Sequence, residues 1–317
     1  MRLKNKKGFE FSFGWLFALI VGAVILFLAI YAATNLINQD RKVQDTFAGQ
    51  QLGIILSPVE TSLESAKTTL ITFPVTTRVF NSCDSTGSFG SQKISVATES
   101  GVGSQWTTPG VPSTFYNKYI FSASTVEGKG ATVFVKPFNF PYKVADLIFL
   151  WSNQDNYCFI NAPTDVQDEI SGLSINSINF TSDIKQCIKN SITVCFSSSG
   201  CNVDVNLNSQ SVKKNGQTVF YSSENGNSLL YGAIFADPEV YNCQVKRLME
   251  RTASLAVLYR QKSEALSSKG CSSNLEGSLD IFANDTLSLN STIQLRSIDI
   301  EQSQLGTINS ALSCKLF

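Results

Sequence analysis

Histidine is absent from all 317 residues. That absence excludes Ser-His-Asp and Cys-His nucleophilic catalysis, histidine-ligated zinc and imidazole acid–base chemistry. No two of the eight cysteines have the C-x-x-C spacing of a zinc knuckle or a dithiol redox motif. A charge excess is missing too, since 25 Lys and Arg face 25 Asp and Glu. Beyond residue 12 the balance is 21 basic to 24 acidic with no basic block, which makes a nucleic-acid partner a poor fit. No internal repeat is evident.

The catalytic patterns that remain are thin. Ser182-Asp183-Ile184-Lys185 and Ser211-Val212-Lys213-Lys214 match Ser-x-x-Lys, in which a desolvated lysine activates a serine. In a serine-rich chain such matches arise cheaply. The stretch CDSTGS at 83–88 lacks the Asp-Thr-Gly order of an aspartic-protease loop and reads as a turn beside a disulfide. GVGSQWTTPG at 101–110 has close glycines but no following lysine to hold a phosphate, so it reads as a loop. Asp165, Asp168 and Glu169 lack the glycine and the one-three-five spacing of a calcium loop and read as a solvated helix face. Trp106, Trp151 and the 22 phenylalanines are assigned mainly to the core and the membrane rather than to a binding platform. The chain is therefore read as no enzyme, with no cofactor and no metal.

What the chain does have is one long apolar run. Phe13 to Ala33 is 21 residues without a charge, rising ~30 Å as a helix and matching a bilayer core. A secretory signal has a shorter apolar centre, ~7–15 residues, before its cleavage site; Ala29 to Ala33 imitates such a site only after a run that is already too long. A core helix of this length carries polar residues on one side, and this one does not. The expectation is a membrane helix over 13–37 that Gly14 and Gly22 do not break. Arg2, Lys4, Lys6 and Lys7 precede it, whereas Asp40, Arg41 and Lys42 follow it, so the 1–12 leader is cytoplasmic and the rest lies outside.

All eight cysteines lie beyond this run, and so do three glycosylation sequons, at Asn179, Asn284 and Asn290. An even cysteine count on the outer side reads as up to four disulfides.

The outer part divides by texture into a helical stalk at 38–73, a β-rich domain at 74–236 and a helical C-terminal domain at 237–317, an α+β architecture. In the stalk, Ser57-Pro58-Val59-Glu60 has the form of a capping box, predicting two successive helices or one kinked helix, with Pro74 ending the segment. Short β-favouring runs such as KISVAT, ATVFVKPF, ITVCFS and QTVFYS define the middle, with VADLIFLW at 144–151 as a buried strand. Pro163, Thr164 and Gln167 predict a short helix over 163–170. Tyr241, Val245, Leu248, Thr252, Leu255, Tyr259, Lys262 and Leu266 step by fours and threes, predicting one amphipathic helix over 240–268 stopped by Gly270. A shorter and a longer helix follow, with a strand over 287–295 as the alternative.

That helix places Cys243 ~37 Å from its far end, too far to pair with Cys271. Cys271 is therefore expected to bond Cys314. Cys243 is assigned to Cys187, leaving Cys195–Cys201 and Cys83–Cys158 by elimination.

The opening KKGFEF at 6–11, before an apolar helix, resembles the class III signal of type IV pilins. The resemblance covers about a seventh of the chain, and it implies cleavage between Gly8 and Phe9 on the cytoplasmic side and assembly with other pilus subunits. The chain departs from the pattern at Phe13, where many pilins carry glutamate; the acid here is Glu10. The overall layout also resembles membrane-anchored surface proteins of small-genome archaea, a likeness that implies no activity. The reading is a single-pass surface protein whose partners are the lipid bilayer and other surface or pilus subunits.

Overall fold

The computed structural model describes residues 13–61, 66–99, 105–196, 198–223, 226–271 and 273–317. The fold is α+β, 44% helix and 29% strand, with an apolar N-terminal helix, a β-rich middle and C-terminal helices.

Helix α1 (Phe13–Thr61) is continuous through Gly14 and Gly22. It also continues through residues 57–60, where two helices or a kinked one were expected, and it stops well short of Pro74. The strand β1 (Lys67–Asp84) begins instead, so the helical reading of 38–73 is corrected over 67–73. The reason is local: Thr68-Thr69-Leu70-Ile71-Thr72-Phe73 is rich in β-branched and aromatic residues, which lose χ1 freedom in a helix and fit a pleated surface. Pro74 is tolerated because it falls in the irregularity between Thr72 and Thr77, before the pairing with the next strand begins.

β1 is central to a six-stranded sheet with β2 (Ser91–Thr98), β3 (Ser113–Phe115), β4 (Tyr119–Phe121), β5 (Thr125–Asn139) and β6 (Lys143–Ser152), ordered β3-β2-β1-β5-β6-β4. Every pairing is antiparallel except β4 with β6. Its two faces bury different residues. Val79, Ile94, Val126, Val133, Val135, Ile148 and Leu150 pack with Leu52 and Leu56 of α1. Phe134, Phe138, Leu147, Phe149 and Trp151 belong to the larger core on the other face. Burial on both faces explains why the run expected at 144–151 is apolar without alternation.

The second sheet is ordered β12-β11-β10-β9-β7-β8, from β7 (Tyr157–Ile160), β8 (Ile178–Thr181), β9 (Ile192–Cys195), β10 (Val203–Asn206), β11 (Ser211–Lys214) and β12 (Gln217–Phe220). The short helix α2 (Thr164–Gly172) lies between β7 and β8, with Pro163 rather than Thr164 at its N-cap and no side-chain cap. The expected box is out of register by one residue; Gln167 donates to Ala162 O instead.

Helix α3 (Ser228–Phe235) is buried along its whole length in the large core. Phe235 stacks on Trp151 with centroids 4.5 Å apart and meets Tyr157 edge-on at 5.0 Å, an arrangement favoured by ring quadrupoles. The amphipathic stripe of α4 (Pro238–Ser267) buries Tyr241, Val245, Leu248 and Thr252 as expected; Leu255, Tyr259 and Leu266 pack half-buried at the margin of the core, while Ala256 and Ser263 take the buried positions and Lys262 is exposed. Helices α5 (Glu276–Leu287) and α6 (Leu295–Ala311) complete the C-terminal part in place of the alternative strand.

Candidate functional site

The feature with functional content is α1, because its two halves have opposite environments. Every residue from Phe13 to Ile37 is exposed, and the helix is long and apolar enough to cross a membrane. Contiguous apolar surface of this extent marks a membrane or protein–protein contact. The second half is an element of the folded domain. Asp45, Gly49, Leu52, Gly53 and Leu56 are buried against the first sheet. Asp45 is the anchor there: its carboxyl accepts from Thr98 Oγ1 at 3.0 Å and from Thr107 Oγ1 at 2.5 Å. Thr46 Oγ1 accepts from Val111 N at 3.0 Å. Gly110 lets the loop backbone lie directly on the helix, for a Cβ there would come within 2.6 Å of Thr46 N. No linker separates the apolar half from the seated half. The opposite side of the seated half keeps Val43, Phe47 and Ile54 exposed.

The catalytic patterns dissolve into structural roles. Ser182 and Lys185 are both exposed, so no desolvated lysine faces that serine. Lys214 donates to Ile234 O and Ala236 O at 3.2 and 2.9 Å, holding the carbonyls at the end of α3, while Ser211 pairs with Ser209. Burial pushes the Lys214 ammonium below its ordinary pKa, yet its hydrogen bonds go to those two carbonyls and, among the described residues, to no serine hydroxyl. Glu169 is tied to Lys136 and to the Tyr231 hydroxyl, and Asp165 accepts from Asn227. Asp84 turns the chain after Cys83 by accepting from Thr86 N and Oγ1, and those two hydrogen bonds, ahead of Lys93, hold its carboxyl down at about 2. Residues 101–104 of the glycine-rich stretch lie outside the described residues; Trp106 carries the Arg78 guanidinium 3.8 Å from its ring centroid. Trp151 is core.

Cys195, Cys201 and Asp204 come together, but both sulfurs are in one disulfide, and Asp204 accepts from Gly200 N and Cys201 N, bracing that small loop. Cys271–Cys314 and Cys195–Cys201 pair as expected. The other two expected pairs are corrected: Cys83 bonds Cys243, and Cys158 bonds Cys187. The cause is the unread strand β1, whose end brings Cys83 to the first turns of α4, so that Cys187 is left to the strand β7 beside it. Asn179, Asn284 and Asn290 are all exposed, on β8, within α5 and in the turn after α5. Gly8 and Phe9, the expected processing site, lie outside the described residues.

One group was missed altogether. Arg247, on α4, is fully buried, donating to Phe89 O, Lys118 O and Tyr116 O at 2.9–3.0 Å and to Gln244 Oε1 at 2.8 Å. Gln244 in turn bonds Gln92 and Ile120 O, and Gln92 bonds Asn81. With the Cys83–Cys243 bridge, this network fixes α4 to the β1–β2 hairpin. Burial lowers the Arg247 pKa from its ordinary value. Four of its five N–H donors are taken up inside the fold, three by backbone carbonyls and one by Gln244. A polar residue between buried apolar positions of an amphipathic helix was the only signal available. No family model matches the chain, and neither a curated protein nor a solved structure is significantly similar to it.

Proposed function

We propose that this chain is a single-pass, membrane-anchored cell-surface protein with a structural or binding role, its N-terminus cytoplasmic and its disulfide-tied α+β domain outside. The observation that carries the reading is α1 itself: one helix that begins as lipid-grade surface and ends as a buried element of the domain. Such an anchor presents the domain at a set height and orientation, whereas a flexible tether would not. Basic residues before the helix and four disulfides after it support the orientation. The partners are the bilayer and neighbouring surface proteins. Protease added to intact cells removes the large domain and leaves a small protected N-terminal fragment; protection of the C-terminus instead would overturn the topology.

A second reading is a pilin-like subunit cleaved after Gly8. It is favoured by the combination of the KKGFEF leader with a long helix whose first half is bare and whose second half lies on the first, mainly antiparallel sheet. The N-terminal residue of protein isolated from membranes separates the two: Phe9 for the processed subunit, Met1 for the uncut anchor.

A further inference from the structure

We infer that Asn179 is a glycosylated asparagine whose glycan covers the open edge of the second sheet. The inference rests on the outside placement of the domain proposed above. The three sequons differ in what a transferring enzyme meets, since it needs an accessible asparagine amide, a reachable hydroxyl two residues on, and backbone free to lie extended. Asn284 fails: it sits inside α5, and Thr286 is 1% exposed with its hydroxyl on Phe282 O at 2.7 Å. Asn290 fails as well. Thr292 is 6% exposed and accepts from Phe220 N, while Gln294 Oε1 ties down the N–H groups of Asn290 and Ser291.

Asn179 meets all three conditions. It is exposed on β8, the four-residue terminal strand of its sheet, paired only with β7. Thr181 lies in the same extended segment and is half-buried rather than closed off; its hydroxyl donates to Gln186 Oε1 and accepts from Asp183 N at 3.1 Å, and both partners are exposed residues of the turn that follows, free to give way. The surroundings are ones a sheet does not leave bare. The outer edge of β8 is open, and Asn179 stands opposite Cys158, whose disulfide partner Cys187 is flanked by Ile184 and Ile188, 49% and 55% exposed. An open strand edge beside exposed isoleucines invites pairing with other chains unless something covers it. A sugar on Asn179 stands over both.

In the transfer, the Asn179 amide nitrogen bonds to the anomeric carbon of an oligosaccharide carried on a lipid phosphate. The bond from that carbon to the phosphate oxygen breaks, the lipid phosphate leaves with the electron pair, and the amide proton passes to the transferase.

The test is non-reducing peptide mapping by mass spectrometry of the full-length protein purified from its native membranes, which reads every sequon and every cysteine together. Expected are a glycan mass on the Asn179 peptide, none at Asn284 or Asn290, and four bridges. Asn179→Gln, with its bridges intact, is expected to shift from monomer to larger species in sizing. Bridged cysteines with a bare Asn179, or sugar at Asn284 instead, overturn the inference and leave the outside placement standing. Reduced cysteines overturn both. An Asn179→Gln protein that stays monomeric overturns the covering role.

Discussion

Asp45 and Thr107 meet oxygen to oxygen at 2.5 Å, joining a helix that starts as bare apolar surface to a loop 62 residues further along the chain. Thr107 Oγ1 also accepts from Thr98 N at 2.9 Å, and Thr98 Oγ1 supplies the second bond to Asp45. Asp45 is 2% exposed. Asp45→Ala removes both bonds and leaves two hydroxyls short of an acceptor, costing ~2–4 kcal/mol. Asp45→Asn keeps one acceptor oxygen and loses less. Thermal unfolding in detergent measures the ranking, and equal stability of Ala and wild type would show that the carboxyl does not hold the helix.

Glycines on and against the same helix make a sharper comparison. A Cβ at Gly110 would sit 2.6–2.9 Å from backbone atoms of Asp45 and Thr46, which cannot move without lifting the helix. At Gly49 the nearest atom would be Ile94 O at 3.6 Å, an ordinary contact. Gly110→Ala is therefore expected to loosen the seat, seen as faster proteolysis within 38–56. Gly49→Ala is expected to be neutral or to stabilise by up to ~1 kcal/mol through helix propensity.

The bridges differ in the chain they close. Cys83–Cys243 spans 160 residues and Cys195–Cys201 only six. In the chain-entropy model these contribute ~5 and ~2 kcal/mol, upper figures for a compact unfolded state. Replacing Cys83 and Cys243 by serine should lower the unfolding midpoint more than the same change at Cys195 and Cys201. The gap is widened because the longer bridge also holds α4 and its buried Arg247 against the hairpin. An equal loss from both pairs would deny that role.

The helices and short strands were legible because periodicity and β-branched runs are local signals. The 21-residue apolar run, the stripe from Tyr241 to Thr252 and the run at 144–151 each carry their own environment in their composition. β1 was not legible, since Pro74 reads as a terminator and only the pairing with β5 and the late start of β2 show why it is harmless. That single miss carried over into two disulfides. Asp45 and Arg247 were hidden for a related reason: a charged residue on a helix looks like solvent-facing surface until a distant loop supplies its partners. The open edge of β8 was equally invisible, because which strand ends a sheet is set by topology.

The last prediction concerns pH and the contact between α5 and α6. Burial, then a hydrogen bond and repulsion from Asp285, raise the Glu301 carboxyl from its ordinary 4.5 to about 7. Its Oε2 is buried and has no hydrogen-bond partner among the described residues. A carboxyl whose folded pKa lies above its unfolded one holds a proton more tightly when folded. Its contribution to stability is therefore fully present below about 4.5 and is lost as pH rises through about 7. After allowance for partial exposure and screening the loss is about 1 kcal/mol rather than the full linkage value. Unfolding midpoints taken from pH 4.5 to 8 should fall across this window for the wild type more steeply than for Glu301→Gln, which stays neutral throughout and keeps a donor for Asp285. Parallel profiles for the two proteins would show that the α5–α6 contact does not sense the proton.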